Sequence, residues 1–426
     1  MRVPYRIQRL GESIGESFTD ALSSVHRLPM MKYGGGAPKV SVYPAVKDET
    51  ELMDVYHKAC FFLPQGSVEA VHIPIDFEPT FSIDAGQIPC PQYLEAVDAR
   101  RADIKILPGG SLGLWKTVKQ ADIVLVWDWN SLAEAGEVAR RSPKLQNVDR
   151  HHYGPDAWTW AALLETIRGE ADYRSLLERS MCAFREYVDQ LPDYDKAYVF
   201  GTGPSLGQAY EHDFSDGYRI VCNTIVNNPK LLDHIEPHFI VAGDALYHFA
   251  NNPHARAFQR DVTSALSGRS LKFIMRDTFH PLFVHHHPEV AEHTFAAETG
   301  VPGIHLNVRE RLVYHQWPHG NILNGLLLPL ASGLADHIMF LGFDGRAPGE
   351  KYFWVNSPEN TYDDLKPAMR EAHPAFFSST DFEAYAQSHS DNAETLMQAG
   401  EAQGKHYACL NASYVPAFQK RGSPAA

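Results

Sequence analysis

The residues whose types and spacing best suit chemistry are Gly201-Thr202-Gly203-Pro204-Ser205-Leu206, directly after the apolar run Ala197-Tyr198-Val199-Phe200. Glycines ending a strand let the chain turn at positive φ and leave bare backbone for a ligand to approach. Ser205 adds a hydroxyl, and a helix starting there offers unpaired N–H groups to an anion. The third glycine of a dinucleotide fingerprint is wrongly spaced, and no Gly-Lys-Ser/Thr follows as in a Walker loop. A plain strand-to-helix turn uses the same residues, so the loop alone decides little. Its neighbours add to it. Asn223 follows Cys222, Asp244 follows Gly243, and Asp344 sits in Leu341-Gly342-Phe343-Asp344-Gly345. Each is a common turn former, but at the ends of parallel strands they form one polar rim.

That rim needs a sheet to carry it. Runs at 197–200, 218–222, 238–242, 271–275, 337–342 and 405–410 read as strands, with a helix over 322–334 before the fifth. Upstream, strands at 40–43, 68–75, 104–107 and 121–127 alternate with helices at 49–62 and 131–141. Such alternation predicts an α/β fold of two Rossmann-like domains, the C-terminal one a mainly parallel sheet flanked by helices. The boundaries follow composition: an N-terminal arm over 1–37, a Rossmann-like α/β domain over 38–170, a helical connector over 171–195 and a ligand-binding domain over 196–420.

Composition bounds the class. The 426 residues exceed one ordinary core, and 44% hydrophobic with 21% charged content is average for a soluble globular chain. A net charge of -14 argues against nucleic acid as a partner while leaving room for a small anion. The five cysteines are scattered and form no CxxC pair, which fits a reducing compartment without structural zinc. Residues 1–24 lack the apolar core of a secretory signal, and the apolar stretch 322–343 carries Asn324, Pro329, Asp336 and His337. A cytoplasmic protein is expected. Peripheral membrane contact and homo-oligomerisation stay open.

The order GTGPSL, Cys222-Asn223, Gly243-Asp244, Asn324-Gly325 and LGFDG resembles the bacterial lipooligosaccharide sialyltransferases. It is similar as well to their relatives, the motility-associated-factor flagellin glycosyltransferases and the 6-hydroxymethylpterin diphosphokinases. Tyr352 stands where the sialyltransferases place a tyrosine on the donor phosphate, and His389-Ser390-Asp391-Asn392 resembles their His-Ser-x-Asn segment. The likeness covers about 197–418. Thr202 replaces a more usual Asn, Gly345-Arg346 replaces a second tyrosine, and Asp244 stands where the sialyltransferases have Asn.

This resemblance implies a glycosyltransferase that moves a nonulosonic, sialic-acid-like sugar from a CMP-activated donor to a glycan or other hydroxyl acceptor. Gly201, Thr202, Gly203, Pro204, Ser205, Asn223, Asp244, Asn324, Gly325 and Asp344 would hold the donor nucleotide. Tyr352, with Arg346 or Lys351, would stabilise the departing phosphate. His389 would take the acceptor proton, with His373 as the second choice and as a phosphate or acceptor contact. Inversion without a cofactor or metal is expected. The alternative is a diphosphokinase needing ATP and Mg²⁺, with Asp244 and Asp344 as metal-associated carboxylates. A nucleotide-binding protein without catalysis is a third reading.

Other chemistry-bearing residues are less decisive. The histidine-rich stretch (His280, His285, His286, His287, His293, His305, His315 and His319) is expected to be a lid or acceptor-facing loop. Adjacent residues on an extended chain point apart, so His285-His286-His287 is no ready metal site. Arg309 and Arg311 suit an acidic sugar or a solvated surface equally. Trp127-Asp128-Trp129-Asn130 and Gly109-Gly110-Ser111 follow strands of the first domain, the former suited to sugar faces or interdomain packing, the latter to a second phosphate turn.

Overall fold

The computed structural model describes residues 37–83, 88–97, 103–110, 112–152, 155–316, 321–347, 350 and 356–422. Nearly all of the expected arm 1–37, together with Ser111, His319, Lys351 and Tyr352, lies outside the described residues.

Two parallel sheets are present. The first joins β1 (Lys39–Tyr43), β2 (Ala70–Ile75), β3 (Ile104–Pro108), β4 (Ile123–Val126) and β5 (Leu145–Asn147) in the order β3-β2-β1-β4-β5. The second joins β6 (Lys196–Phe200), β7 (Gly217–Cys222), β8 (Phe239–Ala242), β9 (Lys272–Arg276), β10 (Thr294–Thr299), β11 (Val313–Tyr314), β12 (His337–Leu341) and β13 (His406–Cys409). Its order is β11-β10-β9-β8-β7-β6-β12-β13, every pair parallel. All strand C-termini of a sheet therefore share one edge. Helices cover both faces, so β7 and β8 are buried throughout; β8 reads as an unbroken apolar run, while β7 carries Arg219, whose guanidinium donates to the carbonyls of Phe214, Gly217 and Glu236. No helix among the described residues is long and apolar enough to cross a membrane.

One helical stretch, Pro155–Gln190, ties the two sheets together. Before its break at Gly169 (φ 83°), Trp160 stacks on Phe62 of the helix Glu49–Phe62, with ring centroids 5.8 Å apart. After the break, Phe184 and Tyr187 pack on Phe239 of β8 and Phe295 of β10. The segment expected as a connector, 171–195, is thus largely the second half of this helix, laid against the second sheet. Just past the break, the Tyr173 hydroxyl donates to Asp277 Oδ2 (2.7 Å), a fully buried carboxylate that also accepts from Thr299 N and Oγ1.

Two expectations need correction. The helix predicted over 131–141 is a 3-10 turn, Trp129–Glu134, and a single helical turn, Glu137–Arg140, separated where Gly136 is extended. Val138, on the second of these turns, is 73% exposed. The histidine-rich stretch is not a lid but part of the sheet: the helix His280–His286, then β10 and β11. β11 is only two residues long, and β10 carries Ala296-Ala297-Glu298 where a clear β-branched run would have signalled it.

Replacing Tyr173 by Phe leaves Asp277 buried with one hydrogen bond fewer. Urea unfolding is expected to show a loss of about 1–3 kcal/mol; an unchanged midpoint would contradict this account of the helix–sheet tie.

Candidate functional site

In the second sheet the chain leaves β6 toward β7, and β12 later returns on the opposite side of β6, so strand order reverses between β6 and β12. Crevices outside such reversals are where open α/β sheets bind ligands. The loop 201–206 ends β6 and the loop 342–345 ends β12, so both predicted motifs stand at the reversal.

They are zipped together. Gly201 N donates to Leu341 O (2.8 Å) and Gly203 N to Gly342 O (2.9 Å). A Cβ on Gly201 would stand 2.5 Å from Gly342 O, and one on Gly203 would stand 2.1 Å from Asp344 Oδ2. Gly342 adopts φ 84°. The glycines thus admit backbone against backbone. Ser205 donates its N–H to both oxygens of Asp344 (3.2 and 3.1 Å) and its hydroxyl to Oδ2 (2.9 Å). Residues Pro204–Glu211 form a 3-10 helix, and the anion at its start is this chain's own Asp344. Asn411 Oδ1 accepts from Gly342 N and the Ser413 hydroxyl donates to Phe343 O, bracing the loop from beyond β13. Sequence reading missed both, although Asn411 shows the same signal, a polar residue just after an apolar strand.

On the β7 side, residues 356–361 lie across the strand ends. Thr202 is buried, its hydroxyl donating to Asn356 Oδ1 (2.6 Å), while Ser357 N donates to Thr202 O (2.8 Å). Thr224 donates to Asn360 O, Asn227 Nδ2 to Thr361 O and Asn228 Nδ2 to Asn360 Oδ1. Asn223 holds a left-handed backbone (φ 49°), which Asn tolerates better than most residues. Its Oδ1 is buried with no hydrogen-bond partner among the described residues. Across the reversal, the same holds for Arg346 Nε. An unmatched acceptor and an unmatched donor thus stand at the ends of β7 and β12, flanking β6. Two strand spacings put these ends about 10 Å apart.

The remaining predicted residues divide. Asp244 caps the turn Ala245–His248, accepting from Leu246 N (2.9 Å) and Tyr247 N (2.8 Å). Burial pushes its carboxyl up, against the lowering effect of those bonds. Gly325 faces no open space: a Cβ there would meet Tyr314 Cζ at 2.7 Å, and one on Gly243 would meet the same tyrosine's hydroxyl at 2.6 Å. Asn324 is fully buried in a π-helical segment, Leu323–Leu327, and its Nδ2 donates to His389 O (2.9 Å). His389 lies in the second turn of the helix Phe382–Glu401, buried beside the Tyr385 ring (centroids 4.2 Å). The structure therefore joins Asn324 to His389 and Ser205 to Asp344. His373 sits between the helices Lys366–Ala372 and Pro374–Ser379, stacked on Phe376, with burial and then Lys58 pushing its imidazole down to about 4. Tyr352 and Lys351, outside the described residues, are not placed.

The less decisive residues are engaged elsewhere. Arg309 pairs with Asp189 and Arg311 doubly with Glu298. His286 Nε2 donates to Phe61 O and His315 Nε2 accepts from His305 N. Trp127 Nε1 donates to Pro44 O at the β1/β4 reversal of the first sheet. Gly109 and Gly110 turn at φ 105° and 83°. No group of three His, Cys, Asp or Glu among the described residues is disposed to hold a metal. No protein-family model and no curated protein matches the chain.

Two predictions follow from this geometry. Gly203→Ala drives a methyl group into Asp344 and Gly342 O, and is expected to cost more than about 2 kcal/mol of unfolding free energy. Gly207→Ala, with nothing within 4 Å, should be neutral or stabilising; equal losses at both positions would refute the zipped-loop account. Burial also pushes His238, His254, His280, His286, His315 and His373 down to about 4, and His248 to about 3. The unfolded chain takes up these protons near pH 6.5 and the folded one does not. Stability is then full above pH 6.5 and falls as the pH drops toward 4, so the urea midpoint should be clearly lower at pH 5.5 than at pH 7.5. Equal midpoints would contradict this.

Proposed function

We propose that the chain is a glycosyltransferase that binds a CMP-activated nonulosonic acid across the end of β6 and transfers the sugar to a hydroxyl acceptor with inversion. The observation that carries this reading is the unmatched pair at the strand reversal, Asn223 Oδ1 on one side and Arg346 Nε on the other. Buried unmatched groups are costly, which favours a ligand that completes them. A nucleoside monophosphate suits both: the phosphate accepts from Arg346, while a base amino group or ribose hydroxyl donates to Asn223. The ends of β7 and β12 lie about 10 Å apart, a span within the reach of such a ligand.

In the reaction, the acceptor hydroxyl oxygen attacks the anomeric carbon as the bond from that carbon to the phosphate oxygen breaks. CMP leaves with the electron pair, its charge countered by Arg346. His389, on a helix whose backbone Asn324 Nδ2 holds at the His389 carbonyl, takes the acceptor proton. The diphosphokinase reading fits less well. Asp244 follows β8, while the Asp344 carboxylate is bonded to Ser205 after β6, and the ends of β8 and β6 are two strand spacings, about 10 Å, apart, too far for a shared Mg²⁺. Both carboxylates are also already engaged by backbone N–H groups.

Thermal-shift measurements with CMP, CDP, ATP and GDP separate the two. CMP or CDP should raise the melting temperature without Mg²⁺, and stabilisation by ATP with Mg²⁺ alone would sink the transferase reading. Arg346→Gln should weaken CMP binding about 10- to 100-fold. A His389→Gln variant with full transferase activity would remove His389 as the base.

A further inference from the structure

The start of the helix after β6 is where an open α/β sheet ordinarily receives the phosphates of a nucleotide, because unpaired N–H groups converge there. In this chain those groups are already in use. Gly201 N donates to Leu341 O (2.8 Å), Gly203 N to Gly342 O (2.9 Å) and Leu206 N to Gly203 O (3.0 Å). Pro204 has no N–H to give. Ser205 N bonds to both oxygens of Asp344 (3.2 and 3.1 Å), and the Ser205 hydroxyl donates to Oδ2 (2.9 Å).

The space is filled as well as the donors. A Cβ on Gly203 would stand 2.1 Å from Asp344 Oδ2 and 3.0 Å from its Cγ, so the carboxylate occupies the hollow that the missing side chain leaves. Thr202 is buried, its hydroxyl bonded to Asn356 Oδ1 and its carbonyl to Ser357 N (2.8 Å), which holds the loop in place. Asp344 is pinned from behind too. Tyr414 N donates to Asp344 O (2.7 Å), and the Ser413 hydroxyl donates to Phe343 O (2.6 Å).

A fixed carboxylate acts twice against an anion: it holds the donors the anion needs, and it repels negative charge. Arg346, two residues further on, has a buried Nε with no partner among the described residues and can serve one phosphate. A second phosphate joined to the first shares that rim with Asp344 and finds the loop's donors taken. We propose that Asp344 sets ligand specificity by excluding a second phosphate. It admits a nucleoside monophosphate, or a sugar joined through one, and turns away nucleoside diphosphates. This role rests on the placement of a nucleotide across the end of β6, and adds the residue that limits that nucleotide to one phosphate.

Titration calorimetry with CMP and CDP in Mg²⁺-free buffer tests this. The wild-type chain is expected to bind CDP about 10-fold or more weakly than CMP, because like charges brought together oppose binding. Asp344→Asn keeps the shape and an acceptor oxygen for Ser205 but removes the charge. It should tighten CDP binding and narrow the gap to about 3-fold or less. CDP binding to the wild type as tightly as CMP, or an unchanged gap in Asp344→Asn, overturns the role of Asp344. Should the variant fail to fold, the wild-type ratio decides. If CMP does not bind but another nucleoside monophosphate does, the sugar-transfer reading falls, and that nucleotide with its diphosphate puts Asp344 to the same test. If no nucleotide binds, both fall.

Discussion

Two strand-end loops lie against each other at backbone distance, and the ligand edge of the larger sheet depends on that contact. Gly201 and Gly203 bond to Leu341 and Gly342, and Asp344 closes the join by taking the Ser205 N–H and hydroxyl. Side chains are excluded there because any Cβ would strike a carbonyl or a carboxylate. The join also fixes what the edge can do. The helix start after Gly203, the usual place for a phosphate, already holds a carboxylate. In the proposed reading, anion binding would pass instead to Arg346, two residues past Asp344, and polar recognition to Asn223 on the far side of β6.

Much of this was legible in the sequence. Buried parallel strands are rich in apolar residues, so 197–200, 218–222 (Arg219 apart) and 338–342 announced themselves, as did the polar residues ending them. The part played by each residue was less legible. Gly201 and Gly203 read as space for a ligand, yet the space belongs to Gly342 and Asp344, 139 positions or more away along the chain. Gly325 likewise makes room for Tyr314. A glycine reports that something approaches closely, and only tertiary structure says what. His389 was found as a residue type, but its place on a buried helix face rests on the Asp381 cap and the Asn324 contact. Strand β11 was missed because it is two residues long, and β10 because its centre is Ala296-Ala297-Glu298, its place in the sheet being set by β9 alongside.

The first sheet has the strand order of a Rossmann half, but its own edge is furnished differently. Trp127 closes its reversal by bonding to Pro44 O, and Asp76, Asp128 and Asp149 stand at the ends of β2, β4 and β5. An acidic edge suits an anionic donor poorly. The sheet serves the other as a wall, through the helix Pro155–Gln190 and the contacts of Phe61, Phe62 and Lys58. The hydrogen bond from Tyr173 to Asp277 ties that helix to the second sheet just after the Gly169 break, and Trp158, before the break, already packs on Phe279 and Arg276.

The central claim is that a nucleotide lies across the end of β6, between Asn223 and Arg346. A crystal structure of the chain soaked with CMP tests it most directly. The account predicts the phosphate within hydrogen-bond distance of the Arg346 guanidinium, and a donor group of the base or ribose on Asn223 Oδ1. A nucleotide bound instead at the β1/β4 reversal of the first sheet, with Asn223 and Arg346 untouched, would contradict it.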